Sequence, residues 1–186
     1  MILGRIKTML NKLENPERVT ELNPKETLIK IGLSGHDVLC DIGAGTGIFT
    51  YAAAGITADT IYAIEISEAM REILHLKNNI PNVRIEDSVQ KVPTDSCDVV
   101  LLCTVLHELD NIPAMMQEIK RIMKHNGVLA IIEFHKEVTP MGPPVERRIS
   151  ERETVETLSI NEFVKIKGHK LGGNFYCLVF KQAKVY

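Results

Sequence analysis

From position 38 onward the chain alternates short apolar runs with longer amphipathic stretches, and this rhythm restricts the fold more than any other feature of the sequence. The runs cover residues 38–42, 60–64, 83–86, 98–103 and 127–133. A strand followed by a helix that carries the chain back is the unit from which parallel sheets are built. Strands in such sheets are covered on both faces and read as unbroken apolar segments. Four of the five do; 83–86, with Arg84 and Glu86, is the exception. Between the runs, 69–78 places Met70, Ile73, Leu74 and Lys77 at helical spacing, and 112–123 does so with Ile112, Met115, Met116, Ile119, Ile122 and Met123. Both segments are expected to be crossover helices. The second should stop at a left-handed cap near Lys124-His125-Asn126-Gly127, where cations suit the negative helix end.

The flanks are different in kind. Asn23-Pro24-Lys25-Glu26 has the order of a helix start, with Asn as cap and Pro at the first helical position, and this helix should run to about Ile31 before Gly32. The first twenty residues form a further helical segment broken at Asn15-Pro16. It lies either across the sheet edge or across the mouth of a ligand site. Three prolines between Thr139 and Pro144 rule out helix and central strand, so that stretch is a loop. A charged helix over 149–158 and two strands, 162–167 and 174–181, follow; the short turn at Gly172-Gly173 makes them antiparallel.

A length of 186 residues suits one domain with a sizeable core, divided here into a helical segment (1–34), a sheet-building core (35–136) and a terminal loop, helix and hairpin (137–186). The formal net charge of −2 and the mixing of acids with bases, as in Glu151-Arg152-Glu153, give no field to concentrate nucleic acid. No apolar run approaches the roughly 20 residues of a membrane span. With no secretory pattern at the N-terminus, a cytoplasmic location is expected. Cys40, Cys97, Cys103 and Cys177 lack the close pair spacing of a zinc or redox motif, and Cys40, Cys103 and Cys177, which lie inside apolar runs, are read as small hydrophobes.

The chemistry concentrates at Val38-Leu39-Cys40-Asp41-Ile42-Gly43-Ala44-Gly45-Thr46-Gly47, a strand running straight into a glycine-rich turn and then a helix over 48–54. Glycine lets the chain turn tightly and lets a ligand approach backbone atoms. A dinucleotide fingerprint needs glycine or alanine three positions after Gly45, and Ile48 stands there instead.

This Asp-x-Gly-x-Gly-x-Gly arrangement resembles the first motif of class I S-adenosylmethionine-dependent methyltransferases, and the similarity extends over about residues 15–181. The resemblance implies a Rossmann-like, doubly wound, mostly parallel seven-stranded sheet in an α/β/α sandwich, with an antiparallel C-terminal strand pair. It also implies that the turn, with Gly43, Ala44, Gly45 and Gly47, cradles the amino-acid part of the cofactor while Asp41 helps hold its amino group. Glu65 ends the second strand, where a carboxylate can accept both ribose hydroxyls; Ile66 would pack on the adenine. After the third strand either Glu86 or Asp87 accepts from the adenine amine, with the backbone near Ser88 against the ring. Thr104, after the fourth strand, is placed for a cofactor contact.

His107-Glu108 hints at a zinc protease, but that pattern requires a second histidine where Asn111 stands, so metal hydrolysis is discarded and no metal is expected. Two readings of His107 stand side by side: a base that accepts the substrate proton, or an imidazole that bonds the loop backbone. Glu133 and His135, at the end of the fifth strand, point toward the same sheet edge and are further candidates to meet substrate. The segments Asn15-Pro16-Glu17-Arg18 and 139–144 with Arg148-Ile149-Ser150 resemble stretches in a branch related to the ubiquinone and menaquinone methyltransferases. No Asp/Asn-Pro-Pro-Tyr/Phe or Pro-Cys segment follows the fourth strand, so a small-molecule methyl acceptor is favoured over nucleic acid, in a monomer or homodimer. The rival classes are a cofactor-binding module without turnover and a nicotinamide-dependent oxidoreductase.

Overall fold

The computed structural model describes residues 10–183. Helices α1 (Pro16–Leu22) and α2 (Pro24–Ile31) lead into β1 (Leu39–Ile42), α3 (Ile48–Ala54), β2 (Ile61–Ile64), α4 (Glu68–Lys77), β3 (Val83–Glu86), β4 (Cys97–Cys103), α5 (Ile112–Ile122), β5 (Met123–Phe134), α6 (Glu151–Ile160), β6 (Phe163–Leu171) and β7 (Phe175–Gln182). The seven strands form one sheet in the order β3-β2-β1-β4-β5-β7-β6. β1 to β5 are parallel, whereas β7 runs antiparallel to both β5 and β6. This is the Rossmann-like α/β sandwich implied by the sequence resemblance.

Side chains that alternate along each strand enter opposite cores. On β4, Val99, Leu101 and Cys103 face Phe49, Ala53, Leu28 and Ile31 of the layer built by α1, α2 and α3, while Val100 and Leu102 face Met116, Ile119 and Leu158 of α5 and α6. All of these are buried, and a fully buried Leu or Ile contributes roughly 1.5–3 kcal/mol. Leu74 of α4 packs with Ala63 and Ala44 in a smaller cluster of its own. β6 is the exposed edge; Lys165, Lys167 and Lys170 line it, and a register shift at 165–167 blunts it against further strand pairing.

Two local expectations are corrected. α5 ends at Ile122 without a left-handed cap, because Met123 is already extended, buried and paired with Cys97 in the sheet. Gly127 is needed for a different reason: a Cβ there would sit 3.0 Å from the Cys97 and Lys124 carbonyls. Asn23 caps α2 with no side-chain bond; it takes a left-handed φ of 37° and ends α1 as well. The expected break at Asn15-Pro16 is present: residues 10–13 are helical and a new helix opens at Pro16, where Asn15 Oδ1 accepts the Glu17 and Arg18 amides.

The proline-rich loop after β5 is held by one buried side chain. Arg148 donates to the carbonyls of Pro143, His135, Glu137 and Met141 and to Thr139 Oγ1, at 2.7–3.0 Å. It collects acceptors that a segment without regular structure would otherwise leave unpaired.

Candidate functional site

The carboxyl ends of β1, β2, β3 and β4 open into a cavity of about 540 Å³. Its floor is the glycine turn. Gly43 and Ala44 both donate their amides to Ile64 O, at 2.8 and 3.0 Å, which folds the turn over β2. Gly43 holds φ at 74°, and a Cβ on it would lie 2.3 Å from Val105 Cγ2, so the strand-to-helix bend closes only around a residue without a side chain.

Glu65 follows β2 and is 8% exposed. Its Oε2 accepts the Gly45 amide and its Oε1 the Ser67 amide, both at 2.9 Å. A carboxylate has about four acceptor positions, so roughly two remain for a ligand. Asp41, at the end of β1, accepts from Thr50 Oγ1 at 2.7 Å. Burial pushes its pKa up to about 6 despite the opposing pull of that hydrogen bond.

Ile66 lies at the cavity rim, 86% exposed despite its apolar side chain. Of the two acids after β3, Asp87 lines the cavity with Ser88. Asp87 lies 2.9 Å from Lys91 Nζ, and that bond holds its carboxyl below the usual range. Val105, Leu109 and Met115 supply an apolar wall beyond the glycine turn.

Thr104 departs from ordinary backbone geometry. Its φ is 58°, a left-handed value that β-branched residues avoid, and its amide donates to Ile132 O at 2.7 Å. Such strain costs on the order of 1–3 kcal/mol and gathers at functional sites. The remaining wall comes from the N-terminal segment, with Lys12, Leu13 and Arg18 lining the cavity. This segment therefore lies at the mouth. Glu14 anchors it to Lys77 of α4, Arg18 to Thr104, and Glu21 to the Asn174 amide and side chain.

Comparison with known proteins gives a consistent relationship. Residues 40–131 match the family described as "Methyltransferase domain". A crystal structure titled as a SAM dependent methyltransferase from Aquifex aeolicus superposes with a TM-score of 0.87 at 25% identity, covering 95% of this chain and 96% of that one. The chain belongs to the class I S-adenosylmethionine-dependent methyltransferases. Among curated relatives of this methyltransferase is a ubiquinone biosynthesis O-methyltransferase of Glaesserella parasuis, 29% identical over 133 residues (67% of this chain, 54% of that protein). A demethylmenaquinone methyltransferase of Tropheryma whipplei is 28% identical over 107 residues (56% of this chain, 44% of that protein). The chain spans about half the length of these curated relatives.

The methyltransferase cavity brings together Asp41, Gly43, Ala44, Gly45, Glu65, Ile66, Asp87, Ser88 and Thr104. Gly47 is not on its surface: it starts α3, and a Cβ there would strike Tyr51 at 2.4 Å. Nor are the two histidines. His107 turns its Nδ1 to Glu133 Oε2 at 2.8 Å, and its backbone amide donates to Glu133 Oε1 at 3.2 Å. Glu133 is 1% exposed, so it ties the loop after β4 to β5 from within the fold. Burial lowers the basicity of His107, but the bond and charge of Glu133 outweigh it and the pKa is raised. His135 packs 5.7 Å from the Tyr176 ring, and its Nε2 has no partner among the described residues.

Sequence reasoning assigned no role to Arg18, Leu13 or Thr46. Arg18 sits in a segment of mixed polarity, where an arginine reads as solvated. Thr46 offered no sign that its hydroxyl is buried without a partner among the described residues.

Proposed function

We propose that this protein transfers the methyl group of S-adenosylmethionine by direct displacement to a small-molecule acceptor. The observation that carries the reading is the single cavity that runs from the glycine turn past Glu65 to the exposed face of Ile66 and to Asp87 after β3. Its residues fit the cofactor: Asp41 suits the amino group, the spare acceptor positions of Glu65 the ribose hydroxyls, Ile66 the adenine face and Asp87 its amine. Gly43, Ala44, Gly45 and Thr46 would approach the amino-acid end, where the Thr46 hydroxyl, without a partner among the described residues, is available. Thr104 would border the sulfur.

The cofactor supplies an activated methyl group, so the protein must chiefly hold the acceptor in line at close-attack distance. Val105, Leu109 and Met115 form the wall against which an apolar acceptor would pack. The ubiquinone and menaquinone names of the relatives support a small-molecule class. A base at His107 would have to act through its Nε2, because Nδ1 is committed to Glu133; a role in holding the loop accounts for the same contacts.

Calorimetry with S-adenosylmethionine, S-adenosylhomocysteine and NAD tests the ligand. Micromolar binding of the first two with none of NAD is expected, and a preference for NAD would refute the reading. Incubating methyl-labelled cofactor with cell extract and identifying the labelled product then tests transfer.

A further inference from the structure

Arg18 is 7% exposed and lines the cavity, yet among the described residues it forms no ion pair. One guanidinium nitrogen donates to Leu13 O at 3.0 Å and another to Thr104 Oγ1 at 3.3 Å, and the group lies 5.9 Å from the centre of the Phe175 ring. Two of its five N–H groups are thereby used. A buried cation is costly unless an anion meets it. The other arginine buried to this degree, Arg148, has all its donor nitrogens engaged by oxygens. Arg18 keeps donors in reserve, and its nearest hydroxyl partner is the strained Thr104.

The place of Arg18 says what the reserve is for. Leu13, to which it is bonded, leans over the turn, with Leu13 Cδ1 3.3 Å from where a Gly45 Cβ would be. Asp41 lines the same cavity, and its carboxylate accepts from Thr50. The cavity thus holds both a buried acid and a buried guanidinium that has no acid of its own among the described residues, a complement to a zwitterion.

We propose that Arg18 grips the α-carboxylate of the cofactor's amino-acid end, opposite the amino group at Asp41. This rests on the cofactor reading above. It makes the N-terminal segment part of the binding site and not only a cover over it.

The test compares S-adenosylhomocysteine with 5′-methylthioadenosine, which keeps the nucleoside and thioether but lacks the amino acid. Both are titrated calorimetrically into wild type, Arg18→Met and Arg18→Lys, with melting curves to establish folding. Arg18→Met should weaken S-adenosylhomocysteine by about thirtyfold or more and leave 5′-methylthioadenosine within about twofold, with Arg18→Lys between, because a lysine keeps the charge without the planar fork. Equal losses for both ligands would show that Arg18 only shapes the cavity, and no loss for either would place its anion elsewhere; each overturns the proposal alone. Should Arg18→Met fail to fold, the ratio of the two affinities in Arg18→Lys decides. Wild type that binds neither ligand brings down the cofactor reading and this proposal together.

Discussion

The Gly45 amide and the Glu65 carboxylate meet at 2.9 Å, joining the glycine turn to the end of the neighbouring strand. The acid that would receive the ribose is thus also a brace for the turn that would receive the amino acid. The two halves of the site are one hydrogen-bonded unit.

Glu65→Ala should therefore lower both stability and affinity. Hydrogen bonds to a charged group are each worth roughly 1.5–3 kcal/mol, and two are lost, with relaxation and water recovering part. We expect a loss of about 2 kcal/mol by chemical denaturation and at least about tenfold weaker S-adenosylhomocysteine binding. Unchanged stability would mean that the turn holds its shape without Glu65.

Asp41 gives the site a pH dependence. Its folded pKa of about 6 lies above the ordinary carboxyl value, so the folded state holds its proton more tightly than the unfolded one. Ligand-free stability from this group is greatest below pH 4 and is lost as pH rises through 6, by at most roughly 3 kcal/mol. Binding should run the other way, because a cationic amino group selects the ionised carboxylate. S-adenosylhomocysteine affinity should fall as pH drops below about 6, and Asp41→Asn should bind weakly with a flat profile. Calorimetry from pH 5 to 8 reads this directly.

The His107–Glu133 bond acts on stability in the same sense as Asp41. An imidazole with a raised pKa contributes stability that is full below its unfolded value near 6.5 and is lost as pH rises through the folded one. Urea denaturation should show wild type losing stability from pH 6 to pH 8 by more than Glu133→Gln does. Parallel profiles would mean that the bond does not depend on the imidazole charge.

Gly43→Ala should be among the most damaging small changes, since the new methyl would overlap Val105 in a left-handed backbone. We expect about 3 kcal/mol of destabilisation, with steric overlap as the larger part. Val105→Ala in the same chain should recover at least about 1 kcal/mol of it, a coupling that a double-mutant cycle measures. Strict additivity would show that backbone strain alone is responsible.

The sheet was readable because its strands are covered on both faces: Val99 to Leu102 must all be apolar when each alternate side chain enters a different core. The glycine turn was readable because Gly43 has a steric reason that no other residue meets. Helix ends were less legible. Lys124 to Gly127 carry the residues of a cap, but pairing of Met123 with Cys97 prevails over that local preference. Arg18 and Thr104 owe their geometry to contacts 86 residues apart, which no local spacing records. The position of Glu133 was legible and its partner was not, because its carboxylate turns inward to His107.

One anchor of the wall over the glycine turn is a bond between Glu21 and Asn174, 153 positions apart. A polypeptide growing from its amino end has the turn and the parallel strands β1 to β4 well before it has Asn174. Enclosure of the cavity by its N-terminal wall is therefore completed only when the connection between β6 and β7 is in place.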